Sequence, residues 1–368
     1  MEISFYLPTQ VRMGRNIVER SAQALAGFGK RAMLVTGRSS AVKCGAQADV
    51  TAILEKNGQT WVVFDQVMSN PTVDCVYAGA ELARREGADF LIAIGGGSPM
   101  DAAKAIALLA RQEIAPGDLF KGEFTGDVLP MVHIPTTAGT GSEVTQYAIL
   151  TNDAAQTKTS LSGPMLFSDL ALLDGKYMMG LSHRTTVNTA VDALSHVVEG
   201  MLSVKANPTT DLLAADAIRR IAGNYQGLLS DTLTVEQRDE LLYASMLGGA
   251  VIAQTGTTAV HSMGYSLTYF WGTDHGRANG LLMAEFAQVL LQRGYDKTRE
   301  VLRLMGMDSP AAFRTWLDAL LGERETITDA EVEKFSSIAI QAKNIANCPV
   351  VLTKEELAGV YRKSFGLA

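Results

Sequence analysis

Apolar and polar positions alternate in blocks along the first half of the chain. Short apolar runs, most of them closed by glycine or polar residues, occur at RAMLVTG (31–37), TWVVFDQV (60–67), DFLIAIGGG (89–97) and LPMVHIPTT (129–137). Helical patterns occupy the segments 16–27, 46–57 and 73–86. Buried strands that alternate with helices are typical of a parallel sheet covered by helices on both faces. We therefore predict an α/β domain in this half.

Helical periodicity replaces the strand pattern from Leu181 onward. The predicted helices cover residues 182–203, 208–229, 235–254, 258–270, 277–292, 296–305, 309–321, 328–346 and 353–365. Pro208 fits a first helical position, and candidate N-caps are Ser182, Thr234, Thr328 and Thr353. A chain of 368 residues exceeds one ordinary core. We predict an α/β domain at 1–180 and an all-helical domain at 181–368, with the boundary at DGKYMMGLS.

A glycine-rich turn, FLIAIGGGSPMDAAKAIALLA, connects a predicted strand to a predicted helix. Residues 95–97 are all glycine, and Ser98 is the expected N-cap, with Pro99 as the first helical residue and Asp101 in a capping arrangement. Glycines let a ligand approach the backbone, and the free amides of a helix N-terminus attract phosphate. The turn favours phosphate binding, although a capped turn without a ligand is the alternative. It is not the G-x-G-x-x-G fingerprint, so the rule that places an acidic residue about 20 positions later does not apply here.

A second loop, IPTTAGTGSEVT (134–145), is rich in hydroxyl groups. Its hydroxyl residues are Thr136, Thr137, Thr140, Ser142 and Thr145. Hydroxyls and free amides at the carboxyl end of a strand suit phosphate and ribose, but a plain turn fits this loop equally well. Lys158 is either a positive charge near a cofactor or a solvated lysine.

The second half offers a candidate metal site. Asp192 and His196 are four residues apart, so they project from one face of a helix. Alone, such a pair is more often a helix hydrogen bond than a metal site. His261 and His275 would complete a set of three imidazoles and one carboxylate, which suits iron(II), zinc or cobalt rather than magnesium or calcium. The other histidines, His133 and His183, fit structural roles.

Composition excludes several classes of protein. The net charge is −7 and the pI is about 5.4, and no tract rich in Lys and Arg is present to bind nucleic acid. No apolar stretch is long enough to span a bilayer, and the N-terminus lacks a secretion signal pattern. The scattered cysteines, Cys44, Cys75 and Cys348, suit a reducing compartment. We expect a cytoplasmic enzyme.

Five motifs together resemble the iron-containing alcohol dehydrogenases. They are GGGSPMDAAKAIA, PTTAGTGSEVT, DALSHVVEG, AVHSMGYSL and HGRANGLLM, in family order along nearly the whole chain. The resemblance implies a dehydroquinate synthase-like architecture, with a dinucleotide-binding α/β domain, a helical domain and an active site in the cleft between them. It also implies a homodimer or higher homo-oligomer.

The resemblance also assigns the site residues. The implied metal ligands, which are also the catalytic residues, are Asp192, His196, His261 and His275. The implied pyrophosphate site is Gly95, Gly96, Gly97 and Ser98. The residues implied to lie along the rest of the cofactor are Asn70, Thr136, Thr137, Thr140, Thr145 and Lys158.

Two positions depart from the family pattern. Many relatives have VTD after the first strand, where the Asp binds the adenosine ribose and repels a 2′-phosphate. Here the sequence is VTGRSS, so Gly37 removes the carboxylate, while Arg38, Ser39 and Ser40 add charge and donors. This predicts a preference for NADP(H) over NAD(H). Tyr265 stands where some relatives carry another histidine, and its part in a proton relay stays open.

The predicted activity is hydride transfer between NAD(P) and a short-chain alcohol or aldehyde at a Lewis-acidic Fe²⁺, with Zn²⁺ as the alternative ion. The segment AQTGTTAVHSMGYSLTYFWGTDHG is aromatic and contains no Lys or Arg, which favours an apolar substrate. Alternatives are a glycerol, propanediol or lactaldehyde-type dehydrogenase, a lyase of the same superfamily, and a metal-dependent hydrolase without nicotinamide. The hydrolase would leave the glycine turn and threonine loop without a role.

Overall fold

The structure, a computed structural model, describes residues 3–367, which fall into two compact units. One unit is Leu7–Leu181, and the other comprises residues 182–367 together with residues 3–6. Our sequence division placed residues 3–6 in the first domain. In the structure, the backbone N–H and C=O of Tyr6 bond the Gln254 side chain at 3.0 and 2.9 Å, which ties this segment to the helical unit.

The Leu7–Leu181 unit contains a parallel sheet in the order β1-β8-β5-β4-β2-β3 and a separate antiparallel hairpin, β6-β7. The strands are β1 (Gln10–Met13), β2 (Arg31–Thr36), β3 (Thr60–Phe64), β4 (Phe90–Gly95), β5 (Met131–Pro135), β6 (Tyr147–Asn152), β7 (Thr157–Ser162) and β8 (Leu170–Leu173). The helices are α1 (Ile17–Arg20), α2 (Ala22–Ala26), α3 (Ser40–Lys43), α4 (Ala46–Lys56), α5 (Val73–Glu86) and α6 (Gly97–Arg111).

Alternate residues of the sheet pack into two apolar cores, one on each face. Ala32 and Leu34 of β2 pack with residues of α1, α2 and α4, whereas Met33 and Val35 pack with α5 and α6. Side chains of a strand point alternately to opposite faces, so helices on both faces require strands that are apolar throughout. The predicted α/β architecture is confirmed.

Several local predictions for this unit need correction. The helix predicted at 16–27 is two short helices separated by Ser21, and β6, β7 and β8 were not predicted. The helix after the glycine turn begins at Gly97 with Gly96 as N-cap, so Ser98 is not the cap. Asp101 does not cap it either, because its carboxylate accepts from the Ser142 hydroxyl at 2.6 Å and the Ile149 amide at 3.2 Å.

Residues 182–367 are helical. The helices are α7 (His183–Leu202), α8 (Pro208–Gly223), α9 (Tyr225–Ser230), α10 (Val235–Thr255), α11 (Ala259–Trp271), α12 (His275–Gln292), α13 (Lys297–Leu304), α14 (Pro310–Leu321), α15 (Asp329–Ala339) and α16 (Lys354–Ser364). The predicted N-caps are confirmed, since each hydroxyl accepts from the amide three residues later: Ser182, Thr234, Thr328 and Thr353. Pro208 is the first residue of α8, as predicted.

Two predicted helices of this unit were too long. The helix predicted at 208–229 breaks at Asn224, and the one predicted at 328–346 ends at Ala339 before a 3₁₀ turn, Lys343–Asn347. Within residues 3–367, none of the helices combines the length and the apolar character that a bilayer crossing demands.

Candidate metal and nucleotide sites

Helix α7 supplies the first two candidate ligands. Asp192 and His196 lie one turn apart, and both are almost fully buried. The hydroxyl of Ser195 donates to the carbonyl oxygen of Asp192 at 2.7 Å. The regular helix, started by its Ser182 cap, fixes the spacing of the two side chains.

Helices α11 and α12 supply the other two. His261 is the third residue of α11, and His275 is the first residue of α12. One side-chain atom each of Asp192, His261 and His275 lies within 4.8 Å of the other two, and His275 Nε2 is 3.9 Å from Asp192 Oδ1. His196 lies beside this group, with its ring stacked on that of His261 at a centroid distance of 4.9 Å. Two imidazoles and a carboxylate at this separation fit a divalent transition metal.

Asn279, one turn after His275 on α12, joins these donor atoms together. Its Nδ2 lies 3.3 Å from Asp192 Oδ1, 3.2 Å from His261 Nε2 and 3.4 Å from His275 Nε2. The carboxylate contact orients the amide nitrogen toward the group. Its Oδ1 is buried and has no hydrogen-bond partner among the described residues. Asn279 lies inside the motif HGRANGLLM, but we did not predict this role for it.

A glycine allows α12 to reach α7. A Cβ at Gly276 would lie 1.9 Å from the carbonyl oxygen of Asn188 and 2.8 Å from Asp192 Cβ. One turn later, a Cβ at Gly280 would lie 2.5 Å from Val191 Cγ1. The close approach of these two helices therefore brings His275 to Asp192. Two glycines four residues apart, in HGRANG, were the available sequence signal.

Glu199 is a buried carboxylate of the same unit that the sequence reading did not single out. Its Oε2 hydrogen-bonds His261 Nδ1, and its Oε1 accepts from the start of α11. Burial raises the pKa of the Glu199 carboxyl, but the His261 imidazole and hydrogen bonds from His261 and Thr258 outweigh burial and hold the pKa below its ordinary value.

Aromatic rings border the donor group. The Tyr265 ring stacks on His275 at a centroid distance of 5.6 Å and meets the His261 ring edge-on at 6.3 Å. The two histidines predicted to be structural, His133 and His183, lie outside the donor group. His183 Nε2 is 2.6 Å from the Leu228 carbonyl oxygen, and His133 is fully buried in β5, where burial lowers its pKa well below the ordinary value.

The α/β unit has a topological switch point at the carboxyl ends of β2 and β4. These strands are neighbours, but the chain leaves β2 toward β3 on one side and β4 toward β5 on the other. Ligands of open α/β sheets bind in the crevice at such a point. The glycine turn follows β4, and Gly37, Ser39 and Ser40 follow β2, so these candidate residues lie at the same edge of the sheet.

The glycine turn and the threonine loop pack directly on each other. The Thr136 amide donates to the Gly95 carbonyl oxygen at 2.8 Å. A Cβ at Gly96 would lie 3.0 Å from Thr137 Oγ1, and one at Gly97 would lie 2.7 Å from Thr140 Cγ2. The glycines therefore accommodate the threonine side chains, a packing role that we did not predict.

The remaining predicted cofactor residues lie around this turn. Asn70 has a φ of 58°, and its backbone N–H donates to Ser98 Oγ at 3.2 Å. Lys158 lies on β7, in the hairpin whose β6 strand donates a backbone amide to Asp101. Thr145 is buried, and its hydroxyl accepts from Lys104 at 3.1 Å, so it faces α6 within the protein.

Lys104 is a fully buried cation of this unit that we did not predict as a site residue. Its Nζ donates to Ser142 Oγ at 2.8 Å, to Thr145 Oγ1 at 3.1 Å and to the Tyr147 carbonyl oxygen at 2.7 Å. Burial lowers the pKa of this ammonium to about 8, against the opposing effect of Asp101 and Glu143. The lysine thus links α6 to the end of the threonine loop.

Two family models together match most of this chain. Residues 8–175 match the model of iron-containing alcohol dehydrogenase, and residues 186–365 match that of the C-terminal part of the Fe-containing alcohol dehydrogenase family. A 1,3-propanediol dehydrogenase of Klebsiella pneumoniae is 30% identical over 99% of this chain and 97% of its own.

Two solved structures are similar to this chain over nearly its whole length. An iron-containing alcohol dehydrogenase from Thermotoga maritima has a TM-score of 0.91 and 38% identity, over 99% of each chain. A sulfoacetaldehyde reductase from Bifidobacterium kashiwanohense in complex with NAD⁺ has a TM-score of 0.89 and 27% identity, over 100% of each chain.

Proposed function

The chain belongs to the iron-containing alcohol dehydrogenase family, and from that premise we propose that it is an Fe²⁺-dependent, NADP(H)-preferring reductase of short-chain aldehydes. In the reverse direction it would oxidise the corresponding alcohols. The observation that carries the proposal is the meeting of Asp192, His261 and His275 donor atoms within 4.8 Å in the buried interior of the helical unit.

We assign the metal to Asp192, His196, His261 and His275. The donor atoms of Asp192, His261 and His275 already lie close together. His196 stacks beside His261, one turn of α7 from Asp192. Nitrogen and oxygen donors of this kind accept iron(II) and also zinc. When bound, the ion supplies Lewis acidity toward the substrate oxygen. The chain itself holds the donors in place, and the Tyr265 ring packs against His261 and His275.

The nucleotide is assigned to the switch point of the α/β unit. The backbone at Gly95, Gly96, Gly97 and Ser98 would bind the pyrophosphate, because the amides at the start of α6 point to that edge of the sheet. Asn70, Thr137 and Thr140 surround this turn, Thr136 and Thr145 belong to the loop packed on it, and Lys158 adds positive charge nearby. The NAD⁺ bound to the sulfoacetaldehyde reductase supports a nicotinamide cofactor here.

The preference for NADP(H) is inferred from the residues after β2. Gly37 offers no carboxylate to repel a 2′-phosphate, and Arg38, Ser39 and Ser40 are exposed beside it. An added Cβ at Gly37 would make only ordinary contacts, 3.4 Å from the Val67 carbonyl oxygen and 3.5 Å from Ser40 Oγ. The backbone at this position therefore has room for a Cβ.

The experiment compares NADPH and NADH oxidation by the anaerobically iron-loaded protein, with butyraldehyde as substrate. We expect metal-dependent turnover and a higher kcat/KM with NADPH. Gly37→Asp should lower the kcat/KM ratio of NADPH to NADH by about 10-fold or more, since like charges placed together cost several kcal/mol. Gly37→Ala is the matched control and should keep the wild-type ratio. A higher kcat/KM with NADH in the wild type would refute the preference.

A polyol or hydroxyaldehyde substrate is the second candidate, favoured by the similarity to a 1,3-propanediol dehydrogenase. The same assay with 1,3-propanediol and with 1-butanol, at equal concentrations and with NADP⁺, separates the two. A kcat/KM at least as high for 1-butanol supports the simple alcohol.

We also propose a homodimer or higher homo-oligomer in the cytoplasm. The three cysteines are free thiols, which fits a reducing compartment. Light scattering coupled to size-exclusion chromatography tests the oligomer, and a monomeric mass would refute it.

A further inference from the structure

Glu199 connects the two helices that carry three of the four proposed ligands. It lies on α7, three residues after His196, and its side chain is fully buried. Five hydrogen bonds reach its carboxylate from residues 258–261 of the same unit, at the start of α11. Oε1 accepts from Thr258 N at 2.9 Å, Thr258 Oγ1 at 2.6 Å, Val260 N at 3.0 Å and His261 N at 3.3 Å, and Oε2 bonds His261 Nδ1.

The carboxylate acts as the N-terminal cap of α11. Thr258 occupies the N-cap position, but its own side chain makes no capping hydrogen bond. The first amides of a helix have no partner within the helix, and a negative charge placed near them is stabilised. Glu199 supplies both the acceptor and the charge from a different helix. The start of α11, and with it the backbone of His261, is thereby fixed to α7.

The side chain of His261 is held at both ring nitrogens. Nδ1 faces the Glu199 carboxylate, which can only accept a hydrogen bond when it is ionised. Nε2 faces Asn279 Nδ2 at 3.2 Å, and that amide nitrogen is oriented by the Asp192 carboxylate. An acceptor at Nδ1 and a donor at Nε2 together select one tautomer of the neutral ring, with its proton on Nδ1.

We propose that Glu199 is a positioning residue that keeps the proton of His261 on Nδ1 and so presents the Nε2 lone pair to the metal. The inference rests on the proposed function, because it requires His261 to be a ligand. Carboxylates that bond the second nitrogen of a ligating histidine fix the ring orientation, and their loss weakens metal binding by about 10–100-fold.

Glu199→Gln tests this inference because the amide is isosteric but carries its own donors. If the amide oxygen takes the place of Oε1, it keeps the four donors of Thr258, Val260 and His261. The NH₂ group then faces His261 Nδ1 and requires it to accept. That arrangement moves the proton to Nε2, the nitrogen that would otherwise bind the metal.

The measurement is Zn²⁺ affinity of the full-length protein, by competition with a chromophoric chelator. We expect Glu199→Gln to bind Zn²⁺ about 10–100-fold more weakly than the wild type. Thr258→Val is the matched control, because it removes one hydroxyl donor from the same carboxylate and leaves the His261 Nδ1 contact. It should stay within a few-fold of the wild type. Equal affinity of Glu199→Gln and wild type would overturn the inference alone.

A second measurement needs no variant to fold. Two-bond ¹H–¹⁵N correlation spectra of the Zn²⁺-loaded wild type report which nitrogen of each histidine carries the proton. We expect His261 to be protonated at Nδ1 and bound through Nε2. Binding through Nδ1 would overturn the role of Glu199, whereas no Zn²⁺ binding by the wild type would overturn the proposed function itself and this inference with it.

Discussion

A fully buried charged side chain lies beside the candidate site of each unit: Glu199 in the helical unit and Lys104 in the α/β unit. Both are fully buried, and both join a helix to a functional segment. Glu199 joins α7 to the start of α11, and Lys104 joins α6 to the threonine loop. Burial disfavours the charged form of both side chains, but the surrounding groups compensate for this cost to different extents.

The compensation is nearly complete at Glu199. Five hydrogen bonds and the adjacent imidazole outweigh burial, so the pKa of the carboxyl lies below its ordinary value. Lys104 uses all three of its donors, yet burial lowers its pKa to about 8. Around it, Glu143 Oε1 and both ring nitrogens of His133 have no hydrogen-bond partner within residues 3–367.

The difference teaches how each candidate site is stabilised. A fully satisfied polar network rigidifies its surroundings, whereas a partly satisfied one carries unrecovered desolvation cost. The Glu199 carboxylate therefore holds the start of α11, and with it His261, in a nearly fixed position. The threonine loop, which would have to bind and release a nucleotide at every turnover, is held by a weaker network.

The largest effect is expected for Gly276→Ala, which would break the close approach of α12 to α7. The added Cβ would meet the Asn188 carbonyl oxygen at 1.9 Å, and backbone on both helices would have to move. His275, the preceding residue, would leave Asp192. We expect Zn²⁺ affinity to fall by about 100-fold or more, with a loss of stability of about 1–3 kcal/mol from overpacking.

Gly359→Ala is the matched control for this substitution. Gly359 lies inside α16 of the same unit, and an added Cβ meets nothing within 4 Å. Alanine is the better helix former by about 1 kcal/mol, so this variant should keep its metal affinity and unfold at an equal or higher temperature. Unchanged Zn²⁺ binding by Gly276→Ala would show that the α7–α12 contact does not position His275.

The outline of both units could be predicted because their periodicity is local. Apolar strands gave the sheet, and hydroxyl residues at the helix starts gave caps that the structure confirms. The β6–β7 hairpin was missed because segments such as TKTSLS are short and polar, without a clear alternation, and are stabilised by pairing with each other. Propensity is weak where tertiary pairing decides the conformation.

The proposed ligands could be named from motifs, but their supporting residues could not. The spacing of His261 and His275 along the chain does not predict that α11 and α12 contact α7, because the contact of α12 with α7 depends on packing at Gly276. Glu199 and Lys104 did leave a signal. Each is a charged residue inside an apolar helical run, HVVEGML and DAAKAIALLA, where burial requires a partner. The identity of that partner follows only from the tertiary structure.

Lys104→Met tests the other half of the comparison, with a smaller expected effect at the site. The variant removes the ammonium but keeps an unbranched chain, and leaves Ser142, Thr145 and the Tyr147 carbonyl without their donor. Hydrogen bonds from a charged group contribute about 1.5–3 kcal/mol, so we expect the Kd for NADPH to rise by about 10-fold or more. Protein fluorescence quenching by NADPH measures it.

Two controls accompany this variant. Zn²⁺ affinity should stay at the wild-type value, because the proposed ligands belong to the other unit. Lys56→Met, at an exposed position at the end of α4, should leave both affinities unchanged. A wild-type Kd for NADPH in Lys104→Met would mean that the threonine loop keeps its conformation without the lysine, or does not bind the nucleotide.

The smallest effect is expected for Glu143→Gln and concerns pH. Burial raises the pKa of the Glu143 carboxyl from 4.5 to about 7, so between these values the folded chain holds a proton that the unfolded chain has lost. The free energy of unfolding must then fall as pH rises from 5 to 7, by about 1–3 kcal/mol for a shift of this size. Over this range Lys104, with a pKa of about 8, stays mostly protonated. Glu143→Gln removes the proton exchange, so its thermal midpoint should fall less than that of the wild type between pH 5 and pH 7, by a few degrees. Two features isolate the contribution of Glu143. Contributions of other groups to the pH dependence, such as that of His133, are common to both proteins and cancel in the difference. Glu55→Gln, at an exposed position of α4, should follow the wild type. Parallel pH profiles of Glu143→Gln and wild type would mean that Glu143 is ionised at little cost, and the two buried networks would then be equally well compensated.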